Sequence, residues 1–144
     1  MFMGTYNNSI DAKNRMIVPA KLRSQLVGDK CVITIGMEHC LSIYSMEDWE
    51  NLANKFKEIP ESDLQARKFV RAVFSNAAEY EFDSQGRIII PDNLKMYADI
   101  KKELVTMGVM TKIEVWAKEV WTSPENTDKM EAKEWAEALL QYGF

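Results

Sequence analysis

The chain has 144 residues, a net charge of −4 and a composition that is 47% hydrophobic and 28% charged, which excludes a disordered or fibrous protein and fits one compact domain or two very small ones. No apolar run approaches the roughly 18 residues of a membrane helix, the start lacks the features of a signal peptide, and Cys31 and Cys40 are too few for a secreted disulfide framework. We therefore expect a soluble, cytoplasmic protein with no membrane partner.

One sequence pattern occurs twice in the chain. Residues 11–19, DAKNRMIVP, are echoed 72 positions later by residues 83–91, DSQGRIIIP. The same offset, without a gap, carries Leu22 onto Leu94, Gly36 onto Gly108 and Trp49 onto Trp121. A single register held over about forty positions indicates an internal duplication.

Each copy predicts the same elements: a strand, a turn, a second strand, a short helix and a strand pair. Asn14 or Gly86 occupies the turn position where a left-handed backbone is expected, because Asn and Gly tolerate positive φ best. The apolar run after each turn stops at Pro19 or Pro91, which suits the start of a helix. The expected elements are strands over 16–18 and 88–90, helices over 20–26 and 92–98, and strand pairs 31–35 with 41–44 and 104–107 with 113–116.

Helices are predicted between and after the copies. Ser45 is the expected cap of a first helix ended by Pro60, Ser62-Asp63-Leu64-Gln65 is a capping box for a second, and Ser123-Pro124 opens a third. Their apolar stripes are typical of core or subunit interface. The resulting organisation is repeat 1 over 4–50, a helical connector over 51–75, repeat 2 over 76–122 and a helical tail over 123–144.

The residue inventory argues against an enzyme. His39 is the only histidine, which excludes triads and multi-histidine metal sites. If His39 and Cys40 lie on a strand, their side chains point to opposite faces and form no dyad. No Gly-rich phosphate loop follows a strand. We predict no catalytic activity, no metal and no cofactor, with both cysteines acting as buried small hydrophobes.

The repeated Asp-x-x-x-Arg is the candidate site. A hairpin turn capped by Asp11, with Arg15 as a solvated strand residue, is the simplest interpretation. However, the turn does not require the arginine, which recurs as Arg87 after Asp83. A carboxylate across a tight turn can orient a guanidinium for guanine or phosphate.

The net charge of −4 by itself argues against a nucleic-acid binder, but the charge is unevenly distributed and permits an anionic partner at the first copy, without establishing one. Residues 1–44 carry five basic and three acidic side chains, whereas residues 123–144 carry two basic and five acidic ones. Lys13, Lys21 and Arg23 are expected to contact the DNA backbone. In the second copy Gln85 replaces Lys13, and Asn93 replaces Lys21. The first copy should therefore contribute more to binding.

The chain holds two copies of Asp-x-x-x-Arg-(apolar)₃-Pro, and each copy is followed by a short helix and a strand pair that ends in an aromatic residue. This arrangement resembles the tandem SpoVT–AbrB domains of the MraZ family of bacterial transcriptional regulators. The opening residues 3–6, MGTY, and residues 10–15, IDAKNR, also resemble the start of those proteins. The resemblance covers nearly the whole chain. It implies a mainly β fold with added helices (α+β). The expected architecture is an internally duplicated β-barrel of the AbrB type, with double-split, swapped hairpins.

The resemblance also implies a function. The expected protein is a ring-shaped homo-oligomer, associated with the nucleoid, that binds repeated boxes of double-stranded DNA before the division and cell-wall operon, usually as a repressor. The family's DNA-contacting motif falls on Asp11, Arg15, Asp83 and Arg87, with Lys13 as a neighbouring contact. Antitoxins with one such unit per chain are relatives of these proteins, so an antitoxin-like or structural protein-binding module is the alternative.

Overall fold

The computed structural model describes residues 1–143, in which antiparallel strands and helices alternate along the chain. In chain order the elements are β1 (Phe2–Ser9), β2 (Arg15–Ile17), α1 (Ala20–Arg23), β3 (Lys30–Ile35), β4 (Leu41–Tyr44), α2 (Met46–Lys57), α3 (Leu64–Ser75), β5 (Ala78–Glu81), β6 (Arg87–Ile89), α4 (Asp92–Tyr97), β7 (Glu103–Met110), β8 (Ile113–Ala117), α5 (Lys118–Trp121) and α6 (Ala132–Gln141). Within this part of the chain, no helix combines the length and the apolar character that crossing a membrane requires.

The two copies are interlocked through their strands. Six strands form one sheet in the order β1-β7-β8-β4-β3-β5, and β2 and β6 form a separate two-stranded sheet, which we call the ribbon. The first strand of each copy pairs with the other copy, β1 with β7 and β5 with β3. Every pairing is antiparallel. Each copy therefore completes the sheet of the other.

The pairing register follows the 72-residue repeat. Where β4 meets β8, Ser42 lies opposite Glu114, its own counterpart in the second copy. In the ribbon, Met16 likewise lies opposite its counterpart Ile88. Residues related by the repeat thus face each other at both junctions, which gives the chain an approximate internal two-fold symmetry.

The turns follow the sequence prediction. Asn14 has φ 60° and Gly86 has φ 75°, so both occupy the left-handed region. The four predicted strands of the two strand pairs are also confirmed, with extensions of one to three residues at some ends. In the described residues, backbone pairing between β2 and its own leading segment is limited to the bridge from Ile10 to Met16, and the Asn8 side chain of β1 donates to the carbonyl of Ile17 at 3.0 Å. The chain then leaves that hairpin to pair with the other copy.

The largest differences from the predicted helix boundaries occur in three places, while α4 ends one residue early, at Tyr97, and α2 ends at Lys57, before Pro60. Asp63, not Ser62, caps α3, because its side chain accepts the backbone N–H of Ala66 at 3.0 Å. The helix expected over 20–26 ends at Arg23, and a single 3-10 turn follows at Val27–Asp29. The last helix begins at Ala132 instead of Ser123.

Local hydrogen bonds explain the late start of the last helix. The Ser123 hydroxyl accepts the N–H of Glu125, and the Asn126 side chain donates to the carbonyl of Trp121. These contacts stabilise turns and compete with helical hydrogen bonds.

The predicted cap of the first connector helix is correct, since Ser45 accepts the N–H of Asp48 at 3.0 Å.

The main hydrophobic core joins both copies. Its fully buried side chains include Met16, Leu22, Ile88 and Leu94, from the ribbon and from the helices that follow it. Helices α2 and α3 pack on each other through aromatic rings, with Trp49 and Phe74 centroids 4.5 Å apart. The fold is thus α+β with antiparallel sheets. In residues 1–143, β1 and β5 remain the two ends of the six-stranded sheet, so hydrogen-bonded closure into a barrel is not detected.

Candidate functional site

The first Asp-x-x-x-Arg turn holds its arginine by a network of short hydrogen bonds. Oδ1 of Asp11 accepts the backbone N–H groups of Lys13 and Arg15, both at 2.9 Å. Oδ2 accepts Nε of the Arg15 guanidinium at 2.8 Å. The ion pair uses Nε, so it leaves both terminal amino groups of the guanidinium for another partner.

The second turn repeats this geometry atom for atom. Oδ1 of Asp83 accepts the backbone N–H groups of Gln85 and Arg87 at 2.9 Å, and Oδ2 accepts Nε of Arg87 at 2.7 Å. The arginine side chains are 29% exposed in the first turn and 23% in the second. Both guanidiniums are therefore oriented and accessible.

The hydrogen bonds also keep the two carboxylates ionised. The backbone N–H of Arg15, together with its guanidinium and the N–H of Lys13, lowers the pKa of Asp11 despite an opposing effect of desolvation. Arg87 and Gln85 lower the pKa of Asp83 in the same way. A lowered pKa means that each contact persists at neutral pH and is lost only in acid, below the usual range of aspartate.

The ribbon brings the two turns onto one surface. Arg15 pairs with Ile89, and Ile17 pairs with Arg87. Because residues opposite each other and residues two apart share a face, all four side chains lie on the same side. Met16 points to the other side and is fully buried. From the strand rise and spacing, the Cα atoms of the two arginines are roughly 8 Å apart at opposite corners.

A cation from the opposite copy supports each turn. Arg23 of α1 donates through Nη1 to the carbonyl of Val18 at 2.7 Å, and its guanidinium lies directly against Gly86. At the equivalent position of α4, Nζ of Lys95 donates to Oδ1 of Asn14 at 3.0 Å. Each turn is thus fixed by the helix of the other copy.

The remaining predicted residues have different placements. Lys13 lies in the first turn and Lys21 on α1, and both are exposed. Arg23 is partly buried against the second turn. Sequence reasoning missed Lys95, although the 72-residue offset from Arg23 points to it. It also missed Ile17 as a surface residue of the ribbon.

His39 and Cys40 do not form a catalytic pair. They lie in the connection between β3 and β4 and not on a strand, so the strand argument does not apply. His39 stacks on Tyr97, with its Nδ1 3.8 Å from Asp99, whereas Cys40 is fully buried.

Burial raises the pKa of the Cys40 thiol to about 12, and the same holds for Cys31. Both thiols are therefore protonated at neutral pH and unsuited to nucleophilic chemistry.

One other cluster brings potential metal ligands together. The ligand atoms of Glu38, Cys40 and Glu114 lie within 4.8 Å of one another. The Glu114 carboxylate already accepts the indole N–H of Trp116 at 3.0 Å and lies 3.8 Å from the ammonium of Lys112. A metal would also require the Cys40 thiolate, which burial disfavours. The surroundings of this cluster therefore suit a structural role.

Comparison with known proteins supports the duplication and identifies the family. The sequence matches the family described as "MraZ protein, putative antitoxin-like" twice, over residues 1–72 and over residues 73–142. The transcriptional regulators MraZ of Acetivibrio thermocellus, Clostridium tetani and Clostridium beijerinckii are 45%, 43% and 46% identical to this chain, each over 144 residues and the full length of both proteins. The chain therefore belongs to the MraZ family, a family of transcriptional regulators and not of enzymes.

Proposed function

We propose that this chain is a sequence-specific DNA-binding regulator of transcription, and that Arg15 and Arg87 contact its DNA. One observation carries the proposal: two arginines, each oriented by its own aspartate, lie on one face of a two-stranded ribbon. The major groove of B-DNA admits such a ribbon. The names of the full-length relatives agree with this function.

The chemistry of the turns suits guanine. A guanidinium recognises guanine by donating to O6 and N7 together, which requires a fixed orientation. Because Asp11 engages Arg15 through Nε, the terminal amino groups supply donors for a base edge or a phosphate. A spacing of roughly 8 Å between the arginines corresponds to two to three base-pair steps of about 3.4 Å each.

Neighbouring residues make the first copy the stronger contact. Lys13 is exposed in the first turn, and Lys21 is exposed on α1, the helix whose Arg23 lies against the second turn; we assign both lysines to the DNA backbone. The second turn carries Gln85 instead of a lysine. The position of Arg23 against Gly86 favours a role in holding the second turn, with any phosphate contact secondary.

Assembly into a ring would raise the affinity. A chain of net charge −4 with one modest basic turn binds DNA weakly at physiological salt. Several copies in register on repeated boxes gain avidity, by factors of order 10²–10⁴. Exposed apolar side chains on α6, with Trp135 58% and Leu140 80% exposed, offer surface for contacts between copies, while the acidic tail is best kept away from DNA.

The finer expectations from the family complete the proposal. We assign the protein to the cytoplasm and nucleoid, as a repressor that binds repeated boxes before the division and cell-wall operon. The exchanged strands β1 and β5 and the separate ribbon support a double-split, swapped-hairpin architecture.

The first experiment compares Arg15→Ala and Arg87→Ala with the parent protein. Fluorescence anisotropy across a salt series measures affinity for DNA from upstream of the protein's own operon and for scrambled DNA. We expect Arg15→Ala to lose at least about tenfold of the preference, since a good arginine–guanine pair contributes about 1–3 kcal/mol of discrimination, and Arg87→Ala to lose less. Arg67→Ala, an exposed arginine on α3, is the matched control and should bind like the parent.

The same experiment separates the alternative function. An antitoxin-like module predicts no DNA preference at any salt concentration and an intact protein interaction after both arginines are replaced. Equal effects of the ribbon variants and of Arg67→Ala would also contradict the proposal, because loss of one positive charge would then explain the result.

A second experiment tests the role of assembly. Sedimentation gives the mass of the oligomer, and the DNA probes carry either two boxes at their natural spacing or two boxes moved apart by half a helical turn. We expect the in-phase probe to bind at least about tenfold more tightly. A monomer that binds both probes with equal, high affinity would refute the avidity model.

A further inference from the structure

We infer that Ile17 and Ile89 contact thymine methyl groups and thereby add sequence discrimination between the two arginines. The inference rests on the proposed DNA-binding function and extends it to two uncharged residues. Ile17 is 50% exposed and Ile89 48% exposed. Together they form an apolar pair at the centre of a candidate binding face, and covering this pair with an apolar group of a partner would stabilise the complex.

The ribbon separates these residues from the core. Their neighbours in sequence, Met16 and Val18 in the first copy, are fully buried. Alternation along the strand therefore directs Met16 inward and Ile17 outward. The same alternation holds for Ile88 and Ile89. Both copies thus place an isoleucine at the outer position, where the core does not require one.

The four outer side chains form a symmetric pattern. Arg15 lies opposite Ile89 and Arg87 lies opposite Ile17, so each isoleucine has one arginine across the ribbon and another two positions away on its own strand. In the major groove, thymine presents a C5-methyl group that no other standard base carries, and apolar side chains recognise it by contact. The pattern fits guanines read by arginine next to thymines read by isoleucine.

Charge favours DNA over a second copy as the partner of this face. A symmetric contact between two ribbons would bring the guanidiniums of one copy, whose charge is only partly offset by Asp11 and Asp83, towards those of the other, and Lys13 would add to the repulsion. A polyanion instead neutralises the cations while the groove covers the isoleucines. The mixed cationic and apolar face is therefore complementary to a thymine-containing major groove.

The test removes the methyl groups from the DNA and the isoleucines from the protein. DNA from upstream of the operon is prepared with thymine or with uracil, which lacks only the C5-methyl group. Parent, Ile17→Ala/Ile89→Ala and the control Val27→Ala/Leu64→Ala are compared by anisotropy. Val27 and Leu64 are 83% and 66% exposed and lie outside the ribbon. Thermal melting and sedimentation check the fold and the oligomer of each variant.

We expect the parent and the control to lose roughly fourfold in affinity per contacted methyl group on uracil DNA. The ribbon variant should bind thymine and uracil DNA equally, while its arginines retain a residual preference for the upstream sequence. Equal uracil effects in parent and ribbon variant would overturn the inference and leave the proposed function intact. A change of oligomer mass in the ribbon variant would also overturn it, because the isoleucines would then belong to a protein interface. If the parent shows no preference for the upstream DNA, the proposed function itself fails.

Discussion

At the scale of single residues, Asp11 and Asp83 reduce the positive charge of the ribbon and at the same time orient the guanidiniums of Arg15 and Arg87. Each carboxylate accepts two backbone N–H groups and one guanidinium nitrogen. A protein that attracted DNA through charge alone would gain from losing them. A protein that reads bases needs them, because the direction of the arginine donors determines which base they fit.

This contrast leads to a prediction for Asp11→Asn. The substitution removes one negative charge, and the amide can no longer pair with Nε of Arg15 as a carboxylate does. We expect affinity for scrambled DNA to rise or stay constant, whereas preference for the upstream DNA falls about tenfold. Anisotropy with both DNAs measures the two effects.

The control for this prediction is Asp128→Asn. It changes the net charge equally, but Asp128 lies in the exposed segment before α6. If both variants raise affinity for both DNAs to the same extent, Asp11 acts only through its charge, and the orientation argument is wrong.

At the scale of elements, the turn and the helix of the opposite copy form one unit. Gly86 has φ 75° and is buried, and a Cβ built on it would collide with the guanidinium of Arg23. The first turn solves the same problem differently, with Asn14 in the left-handed region and hydrogen-bonded to Lys95 and Asp92. The two turns are therefore equivalent in backbone and different in their support.

We predict that Gly86→Ala destabilises the protein more than Gly28→Ala. Both glycines have a positive φ, which costs alanine about 1–2 kcal/mol, but nothing lies within 4 Å of a Cβ at Gly28. The additional loss at Gly86 measures the displacement of Arg23. Chemical denaturation gives the free energies of unfolding.

A double variant provides the check. In Arg23→Ala/Gly86→Ala the collision is absent, so the cost of the alanine should fall to that at Gly28, as a double-mutant cycle would detect. Additive effects of the two substitutions would show that the guanidinium moves aside without cost.

At the scale of the whole molecule, the exchange of strands makes the two copies interdependent. Within residues 1–143, the long strand β1 forms its one ladder with β7 of the second copy, and β5 pairs with β3 of the first. The core is also shared, since Leu22 and Leu94 belong to one cluster. A single copy leaves both a sheet edge and an apolar face without a partner.

We therefore predict that neither half folds as a monomer. A break in the connection between α2 and α3, within residues 58–63, gives two fragments without cutting a helix. Circular dichroism and sedimentation should detect unfolded chains or self-paired dimers for each fragment alone, and a cooperative 1:1 complex for the mixture. A fragment that melts cooperatively as a monomer would contradict the interlocked fold.

Much of the local structure could be predicted because it depends on neighbouring residues. The left-handed positions at Asn14 and Gly86, the cap at Ser45 and the strand pairs all follow from turn, capping and alternation patterns. The late start of α6 could not be predicted, because hydrogen bonds of Ser123 and Asn126 compete with the helix that the sequence pattern favours.

The sequence by itself determined the duplication, the two aspartate–arginine turns and the family, because each depends on short motifs and their spacing. The tertiary structure decided that both arginines lie on one face with Ile17 and Ile89 between them, and that Arg23 and Lys95 each support the turn of the other copy. A strand of three residues, such as β2 or β6, carries too few side chains to specify its partner or register. That choice was made by the shared core and by the long ladders between the copies, whose partners are about a hundred residues apart for β1 and β7.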